Sequence, residues 1–369
     1  MNILTVIGTR PEAVKLSPIV TALMNERDVN TRVLVTAQHR KMLDEVLFMF
    51  NITPDYDLDI MSNDQTPTDV FTQVLNGMQP ILADMKPDWL LVQGDTTTVL
   101  AATIAAAYGK VPVGHVEAGL RTYNRDNPFP EEINRVLADH ASSLHFAPTL
   151  TARKALLREG ISDNTIHVTG NTVIDTLNTI ISRPTPSSLQ IILDSIPNNK
   201  HLILVTAHRR ENFGEPLQRI VVALLELAQR EDVHIVYPVH PNPNINKPIN
   251  EALLDQNNIS VVEPLDYLTF AHLMKHSYLI LTDSGGIQEE APGLGVPVLV
   301  MREVTERTEA IEQGTALMVG TDSNKIVESA IFLLENKISY GEMIKTSNPF
   351  GDGKASQRIV SILLEQIHT

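Results

Sequence analysis

The chain has 369 residues, 43% of them hydrophobic, which is enough for two domains with a core in each. It contains no cysteine, which excludes disulfides, thiolate nucleophiles and zinc–sulfur sites. A formal net charge of −15 argues against a nucleic-acid binder, which needs a basic face; it still allows an anion held by local arginines and helix N-termini.

The N-terminus runs straight into a strand-like segment, Asn2 to Ile7, without the basic-then-apolar layout of a signal peptide. No apolar run reaches the roughly 18 residues that span a bilayer, so no membrane partner is expected and the location expected is cytoplasmic. Strand-like runs follow at 32–36, 89–93, 111–116 and 144–146, then at 202–206, 233–237, 259–262, 278–282 and 296–300. Helical patterns separate them, among them 97–108, 131–142 and 216–229. This alternation predicts an α/β protein of two doubly wound, Rossmann-like domains with parallel sheets, facing across a cleft. The border is placed near Val168-Thr169-Gly170-Asn171, giving one domain over 169–354 and another over 1–168. The C-terminal run Ala355–His368 reads as a lone amphipathic helix.

Chemistry-bearing residues gather at the strand-to-helix junctions, where open α/β sheets bind their ligands. After the first strand, Gly8-Thr9-Arg10-Pro11-Glu12 opens a helix, with Pro11 suited to its first position. Arg10 and Lys15 there fit a phosphate contact, or else a surface charge and a Glu12–Lys15 pair one helical turn apart. The dinucleotide fingerprint G-x-G-x-x-G is absent at this turn. Asp95 fits either an N-cap or an acid–base group. Glu131 and Glu132 after Pro130 fit the helix dipole, and Glu131 also fits a pair with Arg135. Glu117 has no helix to cap, so it is either salt-bridged or functional. His208, with Arg209 and Arg210 at a strand end, suits a pyrophosphate leaving group, or a solvated basic turn. His240 fits a structural role as well as a functional one. Ser284-Gly285-Gly286 opens a helix with bare backbone N–H groups for a diphosphate, and Glu290 lies where ribose hydroxyls would be held; an ordinary capped turn is the alternative.

Along nearly its whole length the chain resembles the non-hydrolysing UDP-N-acetylglucosamine 2-epimerases. The matching blocks are Gly8 to Glu12, Gln38 to Leu43, Gly94 to Thr98, Gly114 to Arg121, Pro130 to Arg135, His208 to Asn212 and Asp283 to Glu290. The resemblance implies a glycosyltransferase-B-like fold, a last helix that crosses back to the first domain, and interconversion of UDP-N-acetylglucosamine and UDP-N-acetylmannosamine. It implies nucleotide contacts from Arg10, Lys15, His208, Ser284, Gly285, Gly286, Glu290 and Arg307, with Phe270 beside the uracil. Leu265 stands where some members have a glutamine near the uracil. Asp95, Glu117 and Glu131 are implied as the acid–base residues, and both Asp95 and Glu117 would touch the substrate. Members are often homodimers. Bacterial members often bind a second UDP-N-acetylglucosamine as activator, at a site with an arginine before a Gln-Thr pair. Here Asp64 precedes Gln65-Thr66, and an acid facing a diphosphate speaks against that site.

No cofactor and no metal are expected. The C2 proton of the sugar is not next to a carbonyl, so it is poorly acidic, and redox epimerases solve this with a nicotinamide whose fingerprint is missing here. Elimination of UDP to a 2-acetamidoglucal and re-addition is the route left. It needs diphosphate stabilisation and proton-transfer groups on two faces of the ring. Alternatives are a 2-epimerase for a modified UDP-sugar, a hydrolysing epimerase and a glycosyltransferase of the same fold.

Overall fold

The structure is a computed structural model and describes residues 1–36, 40–62 and 65–366, without the side chains of residues 40–42. Gln38 and Asp64 fall outside the described residues, as does most of the Gln38–Leu43 block as a set of side chains. The chain divides into two compact units, Met1–Thr176 with Phe350–Thr369, and Leu177–Pro349. The first border falls later than 168/169, and the second earlier than 354/355. Contacts within the first unit account for this: the Thr176 hydroxyl donates to the Val14 carbonyl at 2.5 Å, and the Asn171 N–H donates to the Phe350 carbonyl at 2.6 Å.

The first unit holds a parallel sheet of seven strands: β1 (Asn2–Ile7), β2 (Asn30–Val35), β3 (Tyr56–Asp57), β4 (Trp89–Gln93), β5 (Val113–Val116), β6 (Leu144–Ala147) and β7 (Ile166–Val168). Their order is β3-β2-β1-β4-β5-β6-β7. Strands buried on both faces read as near-continuous apolar runs, and Ile3 to Ile7 are all buried. The second unit holds β8 (His201–Thr206), β9 (Val233–Pro238), β10 (Ile259–Val262), β11 (Leu279–Thr282), β12 (Val298–Val300) and β13 (Ala316–Met318). Their order is β10-β9-β8-β11-β12-β13, again all parallel. Its core is built from Ile203, Val205, Ile235, Leu281 and Leu299 of the sheet with Leu217, Ile220 and Leu224 of the helix Glu215–Leu227.

In both sheets the strand order reverses beside the first strand, between β1 and β4 and between β8 and β11. Ligands of open α/β sheets bind outside the carboxyl ends of the strands at such a point. In the first unit these ends lead into Gly8-Thr9-Arg10 and Gly94-Asp95; in the second they lead into Ala207-His208 and Asp283-Ser284.

The helix Ala355–Glu365 packs in the first unit against the helix Arg10–Met24. Buried Asp175 secures its N-terminus: the carboxylate accepts from the backbone N–H groups of Ala355 and Ser356 and from the Ser356 hydroxyl. Among the described residues no helix is long and apolar enough to cross a membrane.

Candidate active site

In the first unit each junction carboxylate has a different set of neighbours. Asp95 does not cap the helix Thr97–Tyr108; Thr96 is the N-cap, and its hydroxyl accepts from the Val99 N–H at 3.3 Å. Asp95 is thereby left to face Arg135, whose Nη2 lies 2.5 Å from Oδ2. The Asn134 amide donates to the Asp95 carbonyl at 3.0 Å. Arg135 also approaches Glu132 at 3.4 Å, so the expected Glu131–Arg135 pair does not form.

Glu117 follows β5 with φ +65°, a left-handed conformation that a non-glycine residue rarely adopts. Such a residue persists only where its surroundings over-determine it. Here Lys15 Nζ lies 2.5 Å from Oε1, Asn171 Nδ2 donates to Oε1 at 3.1 Å, and the Gln93 amide donates to Oε2. Glu117 is therefore salt-bridged, and Lys15 is its partner. The Glu12–Lys15 pair is absent because Glu12 turns back instead, accepting from the Gly8 N–H at 2.7 Å and the Thr9 hydroxyl at 2.9 Å. Burial pushes the Glu12 carboxyl up to about 7, against the lowering effect of these hydrogen bonds.

Glu131 is half-buried at the first position of the helix Glu131–Ala141, where the dipole favours negative charge. Among the described residues it has no hydrogen-bond or ion-pair partner. Its neighbour Glu132 is buried and accepts from the Thr122 and Tyr123 N–H groups, pinning the loop after Glu117. One helix thus presents Glu131, the Glu132 loop anchor and the Arg135 partner of Asp95.

In the second unit, fully buried Asp283 organises the His208 turn. Its Oδ2 accepts from the N–H groups of His208 and Arg209 and from the Asn212 amide, at 2.8–2.9 Å. Its Oδ1 lies 3.3 Å from His208 Nδ1 and makes no hydrogen bond. His208 is 39% exposed at its side chain and stacks on His240, the ring centroids 5.7 Å apart. Burial lowers the His208 imidazole below its ordinary value; Asp283 opposes this, while His240 and Arg209 reinforce it.

Ser284 sits at the N-cap of the helix Gly285–Glu290 but makes no side-chain cap bond. The Arg307 guanidinium lies against Gly285, where an added Cβ would come within 3.2–3.4 Å of it. Arg307 is held there by Glu289, Nε to Oε1 at 2.9 Å. Glu290 is buried and accepts from the Tyr267 hydroxyl at 2.8 Å. Tyr267 opens the helix Tyr267–His276, which also carries half-buried Phe270; half-buried Leu265 precedes its N-cap, Asp266. Among the described residues no group of three or more His, Asp or Glu could hold a metal ion.

A family model described as UDP-N-acetylglucosamine 2-epimerase matches residues 21–364. The chain belongs to the UDP-N-acetylglucosamine 2-epimerase family. A relative of that name from Yersinia pestis is 52% identical over 372 residues, covering 98% of each chain. One from Salmonella typhimurium is 53% identical over 369 residues, again covering 98% of each. The crystal structure of the Neisseria meningitidis UDP-GlcNAc 2-epimerase bound to UDP-GlcNAc superposes with a TM-score of 0.93 at 46% identity, covering 99% of this chain and 100% of that one. The fold of this epimerase-family chain is accordingly glycosyltransferase-B-like.

For a member of this family the junctions also carry residues that sequence reasoning passed over. Asn171 was visible only as part of a Gly-Asn turn, yet it donates to Glu117. Gln93 ends β4 within an apolar run, and a polar residue buried there was the available signal. Tyr267 and Glu289, the partners of Glu290 and Arg307, carried no sequence signal beyond position.

Proposed function

We propose that this chain interconverts UDP-N-acetylglucosamine and UDP-N-acetylmannosamine by elimination and re-addition of UDP, without a cofactor and without hydrolysis. The observation that carries the proposal is the junction set in the first unit. Three carboxylates stand at strand ends and a helix start, each in a different setting: Asp95 on Arg135, Glu117 on Lys15, Gln93 and Asn171, and Glu131, with no partner among the described residues, at a helix N-terminus. A binding protein gains nothing from acids placed near a diphosphate.

The chemistry is balanced without an oxidant. A base removes the C2 proton, and that electron pair becomes the C1=C2 double bond. The C1–O bond breaks as UDP leaves with its electrons. UDP oxygen then adds back to C1 while C2 takes a proton from the opposite face. No electron is exchanged with a nicotinamide and no water is consumed. The step needs the departing diphosphate to be stabilised, and the second unit supplies the groups for it. His208 donates to the diphosphate, Arg307 and the Ser284-Gly285-Gly286 turn bind it, and Glu290 takes the ribose hydroxyls. Phe270 and Leu265 lie beside the uracil. Arg10 supplies a further anion contact, and Lys15 acts through Glu117.

The test is product analysis. Incubated with UDP-N-acetylglucosamine alone, the protein is expected to form UDP-N-acetylmannosamine, with free N-acetylmannosamine negligible. Asp95→Asn, Glu117→Gln and Glu131→Gln are each expected to lower turnover by about a hundredfold or more, the scale on which general acid–base groups act. Free sugar as the main product would assign the hydrolysing reaction instead, and near-normal turnover in all three variants would overturn the site.

A further inference from the structure

The carboxylate junctions of the first unit rest on a buried cluster that the elimination itself does not use. His115 and Asp139 are both fully buried, with His115 Nδ1 2.6 Å from Asp139 Oδ1. The other ring nitrogen, Nε2, lies 2.7 Å from the Gly94 carbonyl oxygen. Asp139 Oδ2 forms an ion pair with Arg121, 2.7 Å from Nη2, and accepts from the Gly119 N–H at 3.2 Å. Arg121 forks onto Glu159 at 2.7 and 2.8 Å.

The Arg121 ion pair and the hydrogen bonds together fix the protonation of this group. Burial would raise the Asp139 carboxyl, but His115 and the Arg121 guanidinium, 2.7 Å from Oδ2, outweigh it and hold it below its ordinary value, so Asp139 offers a carboxylate oxygen, not an O–H, to His115. The Gly94 carbonyl can only accept. Both imidazole nitrogens must donate, so His115 is an imidazolium. His115⁺ and Arg121⁺ then balance Asp139⁻ and Glu159⁻, the condition under which buried charge is tolerated. Burial alone would drive the proton off His115, but the Asp139 carboxylate and the Gly94 carbonyl outweigh it.

The cluster touches the Asp95 and Glu117 junctions and shares a helix with Glu131. His115 holds the carbonyl of Gly94, the residue before Asp95, in a turn with φ +80°. Asp139 holds the N–H of Gly119, two residues beyond the left-handed Glu117. Asp139 itself lies two helical turns along from Glu131 and one from Arg135, the partner of Asp95. A charge-assisted hydrogen bond is roughly twice as strong as a neutral one, so the Gly94 carbonyl is fixed firmly.

We propose that His115 is a positioning residue for the elimination proposed above, on which this assignment rests: held as an imidazolium by Asp139, it fixes the Gly94–Asp95 peptide, and so Asp95, relative to Glu117. Misplacing a reacting group by about 1 Å costs on the order of a hundredfold in rate, so the effect falls on kcat rather than on nucleotide binding.

Two variants separate positioning from plain support. The side-chain amide of His115→Gln reaches the place of Nε2 and keeps a donor to the Gly94 carbonyl. That of His115→Asn reaches the place of Nδ1 and keeps only the donor to Asp139. Both lose the cation, so both lower the unfolding midpoint alike. The expected result is a kcat for C2 hydrogen exchange about a hundredfold down in His115→Asn, rescued to within about tenfold of wild type in His115→Gln, with KM within about threefold in both. Equal kcat losses in the two variants, or a wild-type kcat in His115→Asn, would overturn the proposal. Wild-type protein that exchanges no C2 hydrogen would sink the epimerase reading instead, which keeps the two failures apart. Should neither variant fold, ¹⁵N-histidine NMR of the wild type at pH 7 decides. A buried ring with both nitrogens protonated and protected from exchange is expected, and its absence would refute the assignment.

Discussion

Glu12 offers the most quantitative test of how the first unit is built. Its carboxyl is 2% exposed and sits at the β1 turn, with both oxygens hydrogen-bonded. Burial is the largest influence on it, followed by the lowering hydrogen bonds from Gly8, Thr9 and Thr96, with Asp95 adding repulsion. The net result is a rise from an ordinary 4.5 to about 7. Between those values the folded protein holds a proton that the unfolded chain has released, so stability falls as pH rises. At about 1.4 kcal/mol per pH unit, the full effect is about 3 kcal/mol. Glu12→Gln removes the titration while preserving the turn: the amide oxygen accepts from Gly8, and the amide nitrogen donates to the Thr9 hydroxyl, which can accept as well as donate. Trp89, the only tryptophan, opens β4 in the same unit, so its fluorescence during urea unfolding reports that unit. The wild-type stability minus that of Glu12→Gln is expected to fall by roughly 2–3 kcal/mol between pH 5 and pH 8. Groups that titrate equally in both proteins cancel in this difference. A difference flat to within about 0.5 kcal/mol, well below that linkage term, would refute the reasoning.

Gly285→Ala brings a Cβ within 3.2–3.4 Å of the Arg307 guanidinium, so calorimetry should show UDP binding weakened by roughly tenfold or more, about the worth of one hydrogen bond to a charged group, with the unfolding midpoint little changed. Tyr267→Phe removes the hydroxyl that orients Glu290; KM for the nucleotide sugar should rise several-fold with kcat nearly unchanged, the pattern of lost ground-state binding. His208 is neutral at pH 7 because burial, His240 and Arg209 outweigh Asp283. A bound diphosphate should draw a proton onto it, so UDP titrations in buffers of different ionisation enthalpy should show proton uptake that His208→Gln abolishes.

Particular residues mark how far the sequence reaches. The helix over 97–108 was legible at both ends because a continuous apolar stretch fills it, although its cap is Thr96 and not Asp95. The strands expected to begin at 111 and 296 instead begin at Val113 and Val298, since Pro112 and Pro297 cannot donate to a ladder. β3, β7 and β13 went unseen: they are edge strands of two or three residues, too short for any periodicity. The junction residues were legible because a charged side chain directly after an apolar strand needs a reason to be there. Their pairings were not. Lys15 belongs to Glu117, 102 positions away, and Arg135 to Asp95, 40 positions away; local spacing favoured Glu12 and Glu131 instead. His115 looked like one more buried strand residue, because its importance rests on Asp139 and the Gly94 carbonyl, which only the folded sheet brings to it.

The central claim is that the C2–H bond breaks while UDP leaves. Incubation with UDP-N-acetylglucosamine in D₂O, followed by NMR of the sugar, tests it most directly. The account predicts deuterium at C2 in the UDP-N-acetylmannosamine formed, and in recovered UDP-N-acetylglucosamine, with no added cofactor. Epimerisation that keeps the original hydrogen at C2, or no reaction of this substrate at all, would contradict it.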